Sequence, residues 1–187
     1  NYIDGKLLSN ITDEKVLNNF LYWCKDNLFI NKKPNSTFTG DCFEMYDVKT
    51  KQRIKKLINT ELDKVTRING IKVEPIKDML DKIDWTSLKT NAIPTLFHGD
   101  LQPENIIYNE LDKNFTLIDW RQSFGMNLEM GDVYYDLGKL YHAILINGQT
   151  ILKDMFGFKR VGYSVDLNFY AKSNLVEFMN IFEKFCN

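Results

Sequence analysis

The chain has 187 residues, 44% of them hydrophobic and 13% aromatic, with 24 basic and 25 acidic side chains and a formal net charge of −1. That length supports a full hydrophobic core without disulfide or metal staples, and that composition excludes a disordered chain. The near-neutral balance excludes a global attraction to nucleic acid or anionic membranes, so neither nucleic-acid binding nor membrane insertion is expected. No apolar run is long enough to cross a bilayer, and no basic-then-apolar leader opens the chain. Three scattered cysteines (Cys24, Cys42 and Cys186) lack C-x-x-C spacing and cannot all pair, which favours a reduced, cytoplasmic setting.

Residues 1–8 read as a short extended stretch with a turn at Gly5. Over 12–29 the pattern is helical: Thr12 offers an N-cap oxygen, and Asp13 and Glu14 suit the positive end of the helix dipole. Val16, Leu17, Phe20, Leu21, Cys24 and Leu28 recur at spacings of three and four and predict one buried face, with Cys24 as a small core hydrophobe. Residues 31–40, rich in Lys, Asn, Ser, Thr and Pro, read as a loop. A second long helix is expected from 43 or 47 to 68, with Asn69-Gly70 as its stop. Its basic run (Lys49, Lys51, Arg53, Lys55 and Lys56) fits a solvated face better than an anion-binding patch, because Glu61 and Asp63 follow closely. Pro75 opens a third helix reaching about 83, with Met79, Leu80 and Ile83 as its core side.

Residues 93–97 lead, extended, into His98-Gly99-Asp100-Leu101-Gln102-Pro103-Glu104-Asn105-Ile106-Ile107-Tyr108. Two short strands, 106–108 and 115–118, flank a polar turn and predict a hairpin ending at Asp119. Such a hairpin brings Asn105 and Asp119 close together. Chemically, this is a loop carboxylate five residues before an amide, with a second carboxylate after an apolar run. Phosphoryl transfer needs a group to orient a hydroxyl and accept its proton, and hard oxygen ligands to hold Mg²⁺ against phosphates. Asp100 fits the first task, as true base or positioning group, and Asn105 with Asp119 fits the second. Further on, 131–147 reads as a helix with Gly148 just past its end, and Asp132 and Asp136 fall on one face. His142 lies mid-helix, far from the motif, and reads as packing or surface. The tail alternates around aromatic residues over 158–163 and closes with a helix over 173–185.

HGDLQPENIIY followed by LIDW resembles the catalytic and metal-binding segments of kinase-like small-molecule phosphotransferases, the aminoglycoside phosphotransferase and choline kinase family, with Gly99 where most protein kinases carry Arg. The resemblance implies a mostly α fold with a small β-hairpin (α+β), the helical C-terminal lobe of the protein-kinase-like fold. One domain would span 1–187, with 1–10 as the inter-lobe hinge. It implies Asp100 at the acceptor hydroxyl, His98 hydrogen-bonded to backbone near the metal-binding Asp, and Asn105 and Asp119 on Mg²⁺. Tyr2, Ile3, Ile107 and Ile118 would lie against the adenine of ATP, and Asp136, in Asp136-Leu137-Gly138, would brace the loop. Trp120, Arg121, Glu129 and Tyr134 are the candidate acceptor-binding residues.

The acceptor is expected to be a small hydroxyl compound: choline or ethanolamine held by cation–π contact, an aminoglycoside, or a sugar for surface polysaccharide. The family's other lobe supplies a loop over the phosphates and a strand Lys, and nothing before the motif provides these. An N-terminal lobe of the same protein is therefore an expected partner, and this chain alone is expected to turn over little. A non-catalytic binding or scaffolding module derived from a kinase is the alternative.

Overall fold

The computed structural model describes residues 3–187. It runs β1 (Lys6–Leu7), α1 (Glu14–Asn27), α2 (Phe38–Phe43), a π-helical turn (Glu44–Val48), α3 (Lys49–Lys55), β2 (Arg67–Ile68) and β3 (Ile71–Lys72). Next come α4 (Ile76–Asp81), α5 (Trp85–Thr90), β4 (Pro94–Thr95), β5 (Ile106–Asn109) and β6 (Asn114–Leu117). The chain closes with β7 (Gly131–Asp132), α6 (Val133–Leu145), α7 (Gly148–Leu152), β8 (Phe156–Val161), β9 (Ser164–Phe169) and α8 (Ser173–Cys186). The class is mixed α and β. It has three small sheets where the sequence suggested one hairpin.

The main core forms where the helical apolar stripes meet. Leu17, Phe20, Leu21 and Cys24 of α1 are completely buried against Leu175 and Phe178 of α8, Leu140 and Ile144 of α6, and Phe115 of β6. Phe20 sits at the centre, its ring 5.2 Å from Phe115 and 6.4 Å from Phe178. Truncating a ring so placed costs about 3–5 kcal/mol. Burial raises the Cys24 thiol well above its ordinary range, which suits a packed hydrophobe. All three cysteines are free. Helix α1 is capped by Asp13, whose side chain accepts the Lys15 N–H at 2.9 Å, one residue later than Thr12 suggested.

Strands β5 and β6 pair with Ile106 opposite Leu117 and Asn109 opposite Asn114, as the polar turn predicts. Strand β1 adds to the outer edge, Leu7 opposite Ile107, and ties the start of the described chain to the hairpin. Ile106, Phe115 and Leu117 enter the core, so the period-2 alternation puts Ile107, Thr116 and Ile118 on the other face.

The sequence reading fails in the middle of the chain. Helix formation starts at Phe38, inside the expected loop, and ends at Lys55, well short of 68. Asn69 and Gly70 are not a helix stop: both are left-handed, at φ 51° and 78°, and join β2 to β3 as a two-residue hairpin turn. Strand β2 also pairs in parallel with β9, and this tertiary pairing outweighs the local helical pattern. Helix α4 buries nothing completely, and Met79 and Ile83, expected in a core, are exposed. Near the C-terminal end, Gly148 begins α7 instead of ending α6, because the Asn147 side chain caps it by accepting from Gln149 and Thr150. Asp132 similarly caps α6. Among the described residues, no helix is long and apolar enough to cross a membrane.

Candidate functional site

Two buried side chains hold the motif loop. Asp136 on α6, completely buried, accepts the backbone N–H groups of His98 and Gly99, each at 2.7 Å. Burial pushes its carboxyl up to about 6, against the pull of those two N–H groups. His98 is equally buried. Its Nδ1 accepts the Asp100 N–H at 3.2 Å, so Nε2 carries the proton and donates to the Ile118 carbonyl at 2.7 Å. Burial dominates this ring too and lowers its pKa, keeping the imidazole neutral. The His98 carbonyl accepts from Arg121 N–H at 2.9 Å. One residue thus fastens the chain on both sides of Asp119, which makes His98 a cross-tie and not a proton carrier.

Asp119 departs from the strand conformation of the residues before it. Its φ is 57°, a left-handed conformation that costs an ordinary residue about 1–2 kcal/mol. In a continuing strand its side chain would follow Phe115 and Leu117 into the core. The left-handed turn breaks that alternation and leaves Asp119 exposed. Gly99 is left-handed as well, at φ 82°, and a Cβ there would stand 2.5 Å from the Arg121 Cβ and 2.8 Å from the Phe97 ring. Position 99 therefore requires glycine, and Arg121 occupies the space beside it.

Asp100 is half-buried. Its Oδ1 accepts from Lys139 Nζ at 2.7 Å and from Gln102 at 2.8 Å. Burial alone would raise this carboxyl, but hydrogen bonds from Lys139 and Gln102, and the charges of Lys139 and Arg121, outweigh it and hold the group below the ordinary range. Asn105 donates through Nδ2 to the Asp100 carbonyl at 2.9 Å, so its Oδ1 takes no part in that bond. Its own carbonyl accepts the Ile118 N–H at 3.0 Å. Asn105 and Ile118 are therefore cross-strand neighbours, with Asp119 one residue beyond.

A cleft of about 1110 Å³ lies between the α2–α3 segment and residues 120–126, the stretch that directly follows Asp119; Asp100, Asn105 and Asp119 do not themselves line it. Of the expected acceptor residues, Trp120 and Arg121 line it. Glu129 and Tyr134 do not. Asn127 Oδ1 accepts the N–H groups of Glu129 and Met130 and turns the chain so that Met130 is buried and Glu129 exposed, and Tyr134 projects outward from α6. Of the expected adenine contacts, Ile107 and Ile118 share the free face of the hairpin with Asn105. Ile3 is exposed and Tyr2 lies outside the described residues.

Four further residues shape the site. Asp41 accepts the Met126 N–H at 2.7 Å and the Thr37 hydroxyl at 2.9 Å, joining the two cleft walls. Lys49 lines the cleft, and Tyr135 stands behind Lys49 and Arg121, each 5.9 Å from its ring centroid. Lys139 is the fourth. It could have been found from its place one helical turn after Asp136, on the face toward the loop. Asp41 and Tyr135 leave no comparable signal in the sequence.

Among the described residues, no group of three or more His, Cys, Asp or Glu is placed to hold a metal by itself. What the hairpin offers a cation is one amide oxygen and one carboxylate, a partial shell of hard donors that suits Mg²⁺ shared with phosphates. No protein-family model, no curated protein and no solved structure matches this chain.

Proposed function

We propose that this chain carries the catalytic and acceptor-binding lobe of an ATP- and Mg²⁺-dependent kinase acting on the hydroxyl of a small molecule. In this reading the lobe is of the kinase-like phosphotransferase type that the motif resembles. What supports the proposal is that Asn105 is bonded to the Asp100 carbonyl and to the Ile118 N–H, with Asp119 the next residue, while buried His98 and Asp136 fasten the same loop.

Asn105 Oδ1 and the Asp119 carboxylate would hold the metal, which when bound neutralises charge on the transferring phosphoryl group. Asp100 orients the attacking hydroxyl by accepting its hydrogen bond. Its lowered pKa makes it a weak base, and a dissociative transition state demands little proton removal beforehand. Lys139 keeps Asp100 ionised and fixes its direction. Trp120 forms one wall of the acceptor cleft, and Ile107 and Ile118 offer an apolar surface beside Asn105 for the nucleotide base.

The test is phosphate transfer from ATP in the full-length protein, followed by ³¹P NMR with a panel of choline, ethanolamine, aminoglycosides and sugars. Asp119→Asn should abolish Mg²⁺-dependent transfer, and Asp100→Asn should lower it by about 10²–10⁴-fold. Transfer that survives Asp119→Asn would refute the assignment.

A further inference from the structure

Two cations on the cleft wall that follows Asp119 have no ion-pair partner among the described residues. Lys49 and Arg121 reach the wall from different elements and flank the same Tyr135 ring, each 5.9 Å from the centroid. Among the described residues neither is paired with a carboxylate. Among the described residues their polar side-chain contacts are weak: Lys49 Nζ on the Met45 sulfur at 3.8 Å, and Arg121 on the Tyr135 hydroxyl at 3.4 Å. Lys139, the third cation, is already engaged with Asp100.

Two acids, Asp41 and Glu44, also line the cleft, and among the described residues neither forms an ion pair with Lys49 or Arg121. The Asp41 carboxylate is turned instead to the Met126 N–H and the Thr37 hydroxyl. Glu44 attracts Lys49 but forms no ion pair with it, and the pull is overridden: burial, then Arg121, Arg53 and Lys139, lower the Lys49 pKa. Two unpaired cations held against an aromatic ring are suited to bind an anionic group, with Arg offering a planar fork to two oxygens.

We infer that the acceptor is itself an anion: a hydroxyl compound carrying a phosphate or carboxylate group, which Lys49 and Arg121 grip over Tyr135 while its hydroxyl faces Asp100. The inference rests on the phosphotransfer reading only in calling the bound compound an acceptor. A cationic amine such as choline would meet two positive charges at this wall, so the geometry disfavours the choline and aminoglycoside options that the motif alone left open.

Equilibrium binding of glycerol 3-phosphate, glycerate, inorganic phosphate and choline to the chain, without nucleotide and both without and with Mg²⁺, tests this, with side-chain NMR signals locating each probe. Glycerol 3-phosphate or glycerate should bind and shift the Arg121 Nε and Lys49 Nζ signals, and which of them binds more tightly identifies phosphate or carboxylate as the group. Lys49→Gln and Arg121→Gln should each weaken binding by about 10–100-fold, the worth of one charge-assisted hydrogen bond. Arg121→Lys should recover part of the loss, and Glu44→Gln should tighten binding. Choline binding in preference to the anions would overturn the inference. So would anion binding that is indifferent to both Gln variants, or that maps to Asn105 and Asp119 and appears only with Mg²⁺, which would give these cations to the nucleotide. If the anions bind as described but the full-length protein transfers no phosphate, the phosphotransfer reading fails and the anion site stands.

Discussion

The motif loop and the stretch from 48 to 94 are held in opposite ways. Residues 97–101 are buried or nearly so, hung on Asp136 and cross-tied through His98 to residues 118 and 121. From Val48 to Pro94, across α3, β2, β3, α4 and α5, no residue is fully buried. That stretch is secured by the β2–β9 pairing and by surface ion pairs such as Arg160–Glu61 and Lys82–Glu74, interactions that contribute little individually. Fixed geometry is concentrated in the loop that the proposed chemistry uses, and within the peripheral stretch only Lys49, near its start, lines the cleft.

The contrast is broken most severely at Asp136. Asp136→Ala leaves two buried N–H groups without an acceptor, a loss of roughly 2–5 kcal/mol, and lowers Tm by on the order of 10 °C. Ile71→Ala, at a residue 71% exposed, should change stability by less than about 0.5 kcal/mol. Urea unfolding of both variants compares them. Equal effects would show that the loop is not anchored as described.

Two glycines sharpen the comparison further. Gly99 and Gly70 are both left-handed, at φ 82° and 78°, but a Cβ at 99 collides with Arg121 and Phe97 whereas a Cβ at 70 meets nothing within 4 Å. Both Ala variants carry the backbone penalty of about 1–2 kcal/mol. Gly99→Ala should add about 1–3 kcal/mol of overpacking, which denaturant midpoints resolve. Hydrogen exchange gives a smaller, mutation-free version of the contrast. Amides of His98, Gly99 and Ile118 should exchange only through large-scale opening, and those of α4 and α5 through local opening.

How far each region could be read from sequence follows the same division. The hairpin, the loop and the long amphipathic helices α1, α6 and α8 were legible, because spacing along the chain determines which residues share a face. Asp100, Asn105 and Asp119 are linked by a turn of a few residues, so local pattern was enough to bring them together. The helix expected to reach 68 failed because the pairing of β2 with β9 spans nearly a hundred residues and leaves no periodic trace. Met79 and Ile83 were assigned to a core by periodicity, yet nothing packs over them. Lys49 was read as part of a solvated run, and only the fold shows it sharing the Tyr135 ring with Arg121. The cleft wall that holds Lys49 and Arg121 is built from segments far apart in the chain, beyond the reach of local pattern.

The smallest expected effect is pH dependence. His98, held below the ordinary imidazole value of about 6.5, contributes stability that is complete above that value and declines as pH falls toward the folded-state pKa, since the unfolded chain binds the proton first. Asp136, raised to about 6 from 3.8, works in the opposite sense: the folded state binds its proton first, so its contribution declines as pH rises from 3.8 to about 6. The two partly cancel and should leave a shallow stability profile from about pH 4 to 6. His98 should show the neutral Nε2–H tautomer in ¹⁵N NMR at pH 7.

The most direct test of the account replaces Mg²⁺ with Mn²⁺ in the full-length protein with ATP and follows paramagnetic broadening of backbone amides. The account predicts that Asn105 and Asp119 broaden first, that Asp119→Asn abolishes the effect, and that residues 67–72, in β2 and β3, stay sharp. Broadening centred elsewhere, or undiminished in Asp119→Asn, would contradict it.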